Sequence, residues 1–245
     1  MSQFSLENLI VLAERGDAEA QCELGHYYSC EATVRDFEKA VYWFERSAAQ
    51  GDALAKFNLS ICYERGEGVE QNRDKANALL IEAGMAGDAR SQYYLGYYYQ
   101  NGMCGFPLDW KQAFLWFRKG AVQGDEDAQF YLAYAYECGQ GTETDYKKAL
   151  YWYRRAAKKG VAAAVCNLGY LYEKGYGVPQ DVVKANEYYR LAAEQDDEVA
   201  MFNLGESYEL GRGVEQDIQK AIAWYEKAAS YGDEDAIAGL ARLKK

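Results

Sequence analysis

Proline is nearly missing from this chain, with 2 residues in 245. That scarcity excludes proline-rich linkers and extended polyproline recognition segments. Histidine is scarcer still, so a Ser-His-Asp or Cys-His catalytic site would have to include His26. No stretch approaches 18 consecutive apolar residues, and no membrane-spanning helix is expected. The opening MSQFSLENLIVLAERGD carries charge throughout and has no apolar run followed by a small-residue cleavage site, so no secretory leader is expected. Basic residues are outnumbered, 27 Lys and Arg against 38 Asp and Glu, giving a net charge of −11. Nucleic acid and anionic membrane both favour a positive surface, and neither is expected as a partner. The six cysteines, Cys22, Cys30, Cys62, Cys104, Cys138 and Cys166, do not fall at one repeated pair of positions. A disulfide ladder would require that, so reduced thiols and a cytoplasmic location are expected.

What the chain has is tyrosine, glycine and a period. Tyr and Gly each number 23, and apolar residues make up 49%. The clearest stretch runs from Gly160 to Gln195, GVAAAVCNLGYLYEKGYGVPQDVVKANEYYRLAAEQ. Ala164, Leu168, Leu171 and Tyr172 share one face of a helix, and so do Ala185, Tyr188, Tyr189, Ala192 and Ala193. Gly175 stands where the first helix must end, and glycine takes a left-handed C-terminal position at little cost. Pro179 prevents continuation, and Asp181 is placed to cap the second helix. The unit is therefore a helix A, a glycine-rich loop and a helix B. Gly169 in mid-helix costs about 1 kcal/mol against Ala, which points to a close contact beneath a bulky aromatic.

This unit recurs with boundaries at Gly16, Gly51, Gly87, Gly124, Gly160, Asp196 and Gly232, in steps of 35 to 37 residues. The expected organisation is a single domain over 1–245. It would comprise a capping helix at 4–14, repeats at 16–50, 51–86, 87–123, 124–159, 160–195 and 196–231, and a closing helix at 232–245. Leu24, Leu59, Leu95, Leu132, Leu168, Leu204 and Leu240 mark the centre of each helix A, and a tyrosine follows four residues after the first six of them. Asp36, Asn72, Asp109, Asp145, Asp181 and Asp217 stand as caps of the B helices. The recurring tyrosine of helix A and the tryptophan of helix B are expected in the core. Neither helix hides its apolar face alone, whereas stacked copies do; the fold class is therefore an all-α solenoid. The first unit is a residue short, at CEATVRD, and the third a residue long, at NGMCGFPLD; both changes map to the loop.

The pattern LG-x2-Y-x2-G-x-G-V followed by D-x2-K-A-x2-W-[YF]-x2-A-A resembles the Sel-one-like repeat family, the longer-looped cousins of tetratricopeptide repeats. Leu204-Gly205, Tyr208, Gly211, Gly213-Val214, Asp217, Lys220-Ala221, Trp224-Tyr225 and Ala228-Ala229 carry it almost completely. The resemblance spans residues 16 to 240. It implies a right-handed α/α superhelix that acts as an adaptor for other proteins, without cofactor or catalysis. In the wider superfamily the A helices line a concave groove, with the positions two before, two after and five after the central Leu pointing inward. Carried over, that face holds Phe57, Tyr93, Phe130 and Phe202, then Ile61, Tyr97, Tyr134 and Tyr170, with Glu137 and Glu173 on an acidic edge. A protein or peptide with basic and apolar residues is the expected partner, bound by a monomer.

Other chemistries find less support. The G-x-G turns lack a P-loop Lys-Ser/Thr and follow helices, not strands. Cys22, His26 and Cys30 share one helix face, but the two cysteines lie about 12 Å apart along the axis at 1.5 Å per residue, and no fourth ligand is evident. No metal is expected. An inhibitor of a single partner, of the immunity-protein or antitoxin type, is the alternative reading; a β-lactamase-like enzyme stands behind both.

Overall fold

The computed structural model describes residues 6–244. These residues form fourteen α-helices and no strand. They fall into two compact units, residues 1–125 and 126–245. The first contains α1 (Leu6–Glu14) and the pairs α2 (Ala18–Cys30) and α3 (Phe37–Ala49), α4 (Ala53–Arg65) and α5 (Arg73–Ala86), α6 (Ala89–Asn101) and α7 (Trp110–Gln123). The second contains α8 (Glu126–Cys138) and α9 (Tyr146–Ala157), α10 (Ala162–Lys174) and α11 (Val182–Ala193), α12 (Glu198–Leu210) and α13 (Ile218–Ser230), then α14 (Glu234–Leu243). Within each unit a helix A packs on its own helix B, and that helix B packs on the next helix A. The protein is an all-α solenoid of helix pairs. Residues 4 and 5 of the expected capping helix lie outside the described residues. None of the described helices is long and apolar enough to cross a membrane.

The helix starts follow from side-chain chemistry. Asp36, Asp145, Asp181 and Asp217 each accept the backbone N–H three residues on, at 3.0–3.1 Å. The A helices are capped in the same way by Asp17, Asp52, Asp88, Asp197 and Asp233, each the residue after a boundary position. Loop closure is equally uniform. The backbone N–H of the B-helix cap donates to the carbonyl of the recurring tyrosine at 2.8–2.9 Å in all six repeats, from Asp36 to Tyr28 through Asp217 to Tyr208. The short first loop and the long third loop obey this bond too. The extra length of the third is absorbed by Cys104 and Gly105, both at positive φ, while Phe106 is buried against Tyr98 and Tyr99.

The helix pairs meet at a ring on a glycine. A Cβ added at Gly25, Gly96, Gly169 or Gly205 would lie 2.5–2.7 Å from a ring atom of Phe44, Phe117, Tyr189 or Tyr225, respectively. The expected close contact is there, and the bulky aromatic beneath it is the second of the helix-B pair. That corrects the assignment of the tryptophan to the core. Tyr153, Tyr189 and Tyr225 are at most 1% exposed. Trp43, Trp116, Trp152 and Trp224 are half-buried, each with an Arg or Lys over its ring at 3.9–5.9 Å. The motif lysine is also explained. Lys39, Lys148, Lys184 and Lys220 lie over Tyr28, Tyr136, Tyr172 and Tyr208 at 4.6–5.4 Å.

The second glycine of G-x-G fixes one repeat to its predecessor. A Cβ at Gly177 would lie 2.8 Å from the carbonyl carbon of Tyr146, and one at Gly213 2.7 Å from that of Val182, both at the start of the preceding helix B. Both residues also have φ near +70°. Gly213→Ala should therefore lower the unfolding free energy by about 2 kcal/mol through strain and overpacking. Gly160→Ala, which meets nothing within 4 Å at φ +93°, should lose less in the same denaturation series. Tyr153→Ala should cost about 3–5 kcal/mol and Trp152→Ala clearly less; equal losses would restore the tryptophan to the core.

Candidate partner-binding face

The buried tyrosines of the second unit organise the face above them. Phe130 rests on Tyr153 and Phe202 on Tyr225, with ring centroids 5.8 and 5.6 Å apart. The same hydroxyls reach the acidic row. Tyr153 donates to Glu137 at 2.6 Å, Tyr189 to Glu173 at 2.7 Å and Tyr225 to Glu209 at 2.7 Å. Phe130 and Phe202 are half-buried supports. Tyr134 is half-buried, and Tyr170 retains 37% of its surface. The ring of Tyr170 meets that of Tyr176 edge-on at 6.1 Å.

In the first unit Phe57 is less available than its counterparts Phe130 and Phe202. Phe57 is only 4% exposed, belongs to the core cluster of Leu80 and Leu95, and carries the Arg90 guanidinium over its ring at 5.4 Å. It supports the face without presenting itself. Ile61, Tyr93 and Tyr97 are half-buried, and Tyr93 packs on Phe117 at 6.4 Å. An open cleft of about 860 Å³ lies on this unit's A helices, lined among others by Leu9, Cys22, His26, Leu54, Asn58 and Arg90. Cys22 is buried there, which pushes its thiol up to about 12. His26 Nδ1 lies 3.5 Å from Cys30 Sγ. Among the described residues no group of three or more His, Cys, Asp or Glu is placed to hold a metal ion.

The acidic edge is not one uniform strip. Glu173 also binds Lys174 at 2.6 Å and lies 3.8 Å from Arg212, and its carboxyl is held below the usual 4.5. Burial opposes that direction; the Lys174 and Tyr189 hydrogen bonds and the two positive charges outweigh it. Arg242 grips Glu209 through Nε at 3.2 Å and Nη2 at 2.7 and 2.8 Å, again lowering its carboxyl. In the first unit Glu64 accepts from the Tyr98 hydroxyl and the Cys104 thiol. Among the described residues only Tyr153 hydrogen-bonds Glu137. No cation of the described residues pairs with it, and burial raises its carboxyl above 4.5. Sequence reasoning placed Glu137 and Glu173 but missed the tyrosine donors and internal cations of this row. It also missed Tyr176, which stands in the loop.

Paired helices stacked at a constant period define a helical-repeat protein. The Sel1 repeat profile matches residues 18–52, 53–88, 89–125, 126–161, 162–197 and 199–233, and the chain belongs to the Sel1-repeat family, whose members are generally protein-interaction scaffolds and typically not enzymes. Among solved structures it is similar to c5321, a protective antigen of uropathogenic Escherichia coli with the same fold (34% identity, TM-score 0.86, 98% of this chain and 52% of that one). It is also similar to a Sel1 repeat protein of Oxalobacter formigenes (29% identity, TM-score 0.74, 91% and 95%). A curated relative is the DAP3-binding cell death enhancer 1 of Rattus norvegicus, 36% identical over 80 residues; the match takes in 33% of this chain and 16% of that protein. The chain thus spans only a small part of that relative and about half of c5321.

The carboxyl shifts give a stability contrast with defined sign. Glu209 has a lowered folded value, so its contribution is present above about 4.5 and is lost as pH falls through the lowered value. Glu137 has a raised one, so its contribution is favourable only at low pH and is lost as pH rises through the raised value. At pH 7 Glu209→Gln should lower the melting temperature, whereas Glu137→Gln should leave it unchanged or raise it. Below the lowered Glu209 value the two variants should converge on the parent. A fall for Glu137→Gln at pH 7 would show a hidden cationic partner.

Proposed function

We propose that this chain is a non-enzymatic adaptor that binds a protein or peptide along the helix-A face of its second unit. One observation carries the reading: Tyr170 stays exposed to solvent and Tyr134 only half-buried, although the buried ring of Tyr153 is packed beneath their face. Tyrosine held rigidly on a firm base loses little entropy on binding and supplies large contact area, which is the character of interface hot spots. Phe130 and Phe202 back that surface, and Glu137 and Glu173 flank it. The net charge of −11 favours a partner with basic residues and speeds its approach. A rat relative over part of its length carries a name that describes it as binding DAP3; the general capacity of such repeats to hold proteins is what supports the reading here. In the first unit, Ile61, Tyr93 and Tyr97 belong to a corresponding but more deeply packed face, with Phe57 beneath it.

The test is affinity capture from a lysate of the native source with the parent chain and with the Tyr134→Ala/Tyr170→Ala variant side by side. Circular dichroism should show the same helix content in both. Partners retained by the parent should fall at least about tenfold with the variant, since two hot-spot truncations of 1–2 kcal/mol each exceed the 1.4 kcal/mol of one decade. Equal recovery would move the binding surface to another face.

A further inference from the structure

The repeats can be compared with one another, and the comparison isolates Glu137. Glu209 is gripped by Arg242, which stands 33 residues later on the next helix A. The residue at that offset from Glu173 is Glu206, and from Glu137 it is Tyr170. Glu173 is approached by Arg212, the middle residue of the next G-x-G loop, which also binds Glu206 at 2.7 Å. The residue in the corresponding loop after Glu137 is Tyr176. Both positions that send an arginine to the neighbouring glutamates thus carry a tyrosine beside Glu137. The carboxylate is held in place by Tyr153, which in turn accepts from Asn167 at 2.9 Å. Tyr134 lies one turn before it on the same helix, while Tyr170 and Tyr176 meet edge-on at 6.1 Å. Tyr176 is itself stacked on Tyr146 at 4.5 Å, so its ring is fixed.

We propose that Glu137, walled by Tyr134, Tyr170 and Tyr176, is the seat for an arginine side chain of the bound protein. The seat rests on the docking face proposed above and names the chemistry that face selects. A guanidinium matches it in three ways. The carboxylate offers a paired acceptor, as Glu209 does to Arg242. The tyrosines offer aromatic surface to a weakly hydrated planar cation. The burial that raises the Glu137 carboxyl is a cost in the free chain that an arriving cation offsets. The lysine Lys174 already lies over Tyr170 at 5.6 Å, held by Glu173; it orders that ring from the far glutamate and leaves Glu137 uncompensated.

The test uses the full chain, 15N-labelled, titrated with N-acetyl-arginine amide to tens of millimolar and observed by NMR. Saturable shifts should be confined to α8, α10 and the loop of Tyr176. N-acetyl-citrulline amide, of the same shape but uncharged, should produce none. Glu137→Gln keeps the acceptor for Tyr153 and should weaken the arginine response about tenfold or more, the value of a charge-assisted hydrogen bond. Tyr170→Arg restores the residue type that Arg242 represents at this offset, and should abolish the response by filling the seat from within. Shifts that scatter over the surface, persist in both variants, or appear equally with citrulline overturn the proposal. Loss of capture in the tyrosine double variant without any arginine response would leave the docking face standing and remove the seat alone. An arginine response with capture unimpaired by that double variant would do the reverse.

Discussion

Each repeat depends on one large apolar side chain of helix B, an aromatic ring in all but the second, where it is Leu80, seated against the small centre of helix A. Where the ring is Phe44, Phe117, Tyr189 or Tyr225, the residue above it is glycine, and even one added carbon would collide. Burial of such a ring removes on the order of 150–250 Å² from water. The ring fixes how near the two helices approach. The pair so formed then presents its outer edge to the next helix A. Neither helix has a complete core alone, which is why the period is kept over the chain while surface residues vary freely.

A tyrosine at that place does more than a phenylalanine. Its hydroxyl leaves the core on the helix-A side and fixes a glutamate there, as at Glu137, Glu173 and Glu209. All three B helices of the second unit carry tyrosine, whereas the first unit has Phe44, Leu80 and Phe117 and correspondingly Ser29, Glu64 and Gln100 above. Packing and surface chemistry are joined through one atom. The repeats then diverge in what neutralises the glutamate. Arg212 and Arg242 do so within the chain, and Glu137 is left to an outside group.

Much of this was legible in the sequence. The 36-residue period, the helix pair, the glycine turns and the aspartate caps follow from local rules that tertiary packing does not override, and each loop closes through the same backbone bond despite its length. The position of the tryptophan was not legible. Adjacent residues on a helix point about 100° apart, and apolar size alone did not decide whether Trp152 or Tyr153 faced inward; the half-buried place went to the indole because Arg155 covers it. The aspartates after every boundary glycine but Gly160 were visible as a repeated dipeptide, but their role as caps was not. The site was legible by position only. Phe57 and Tyr170 occupy the same face on the repeat grid, yet one is buried under Arg90 and the other open, because a residue of the adjacent repeat determines exposure. The glutamate–tyrosine pairs could have been found from their constant spacing of 16 residues.

The most direct test of the docking face is site-specific photocrosslinking in the native source. A benzophenone side chain would replace Tyr170 on the helix-A face or Tyr151 on the outer side of helix B, which is 52% exposed. The account predicts a discrete crosslinked protein from position 170 and none of that mass from position 151. The same adduct from 151, with nothing from 170, would contradict it.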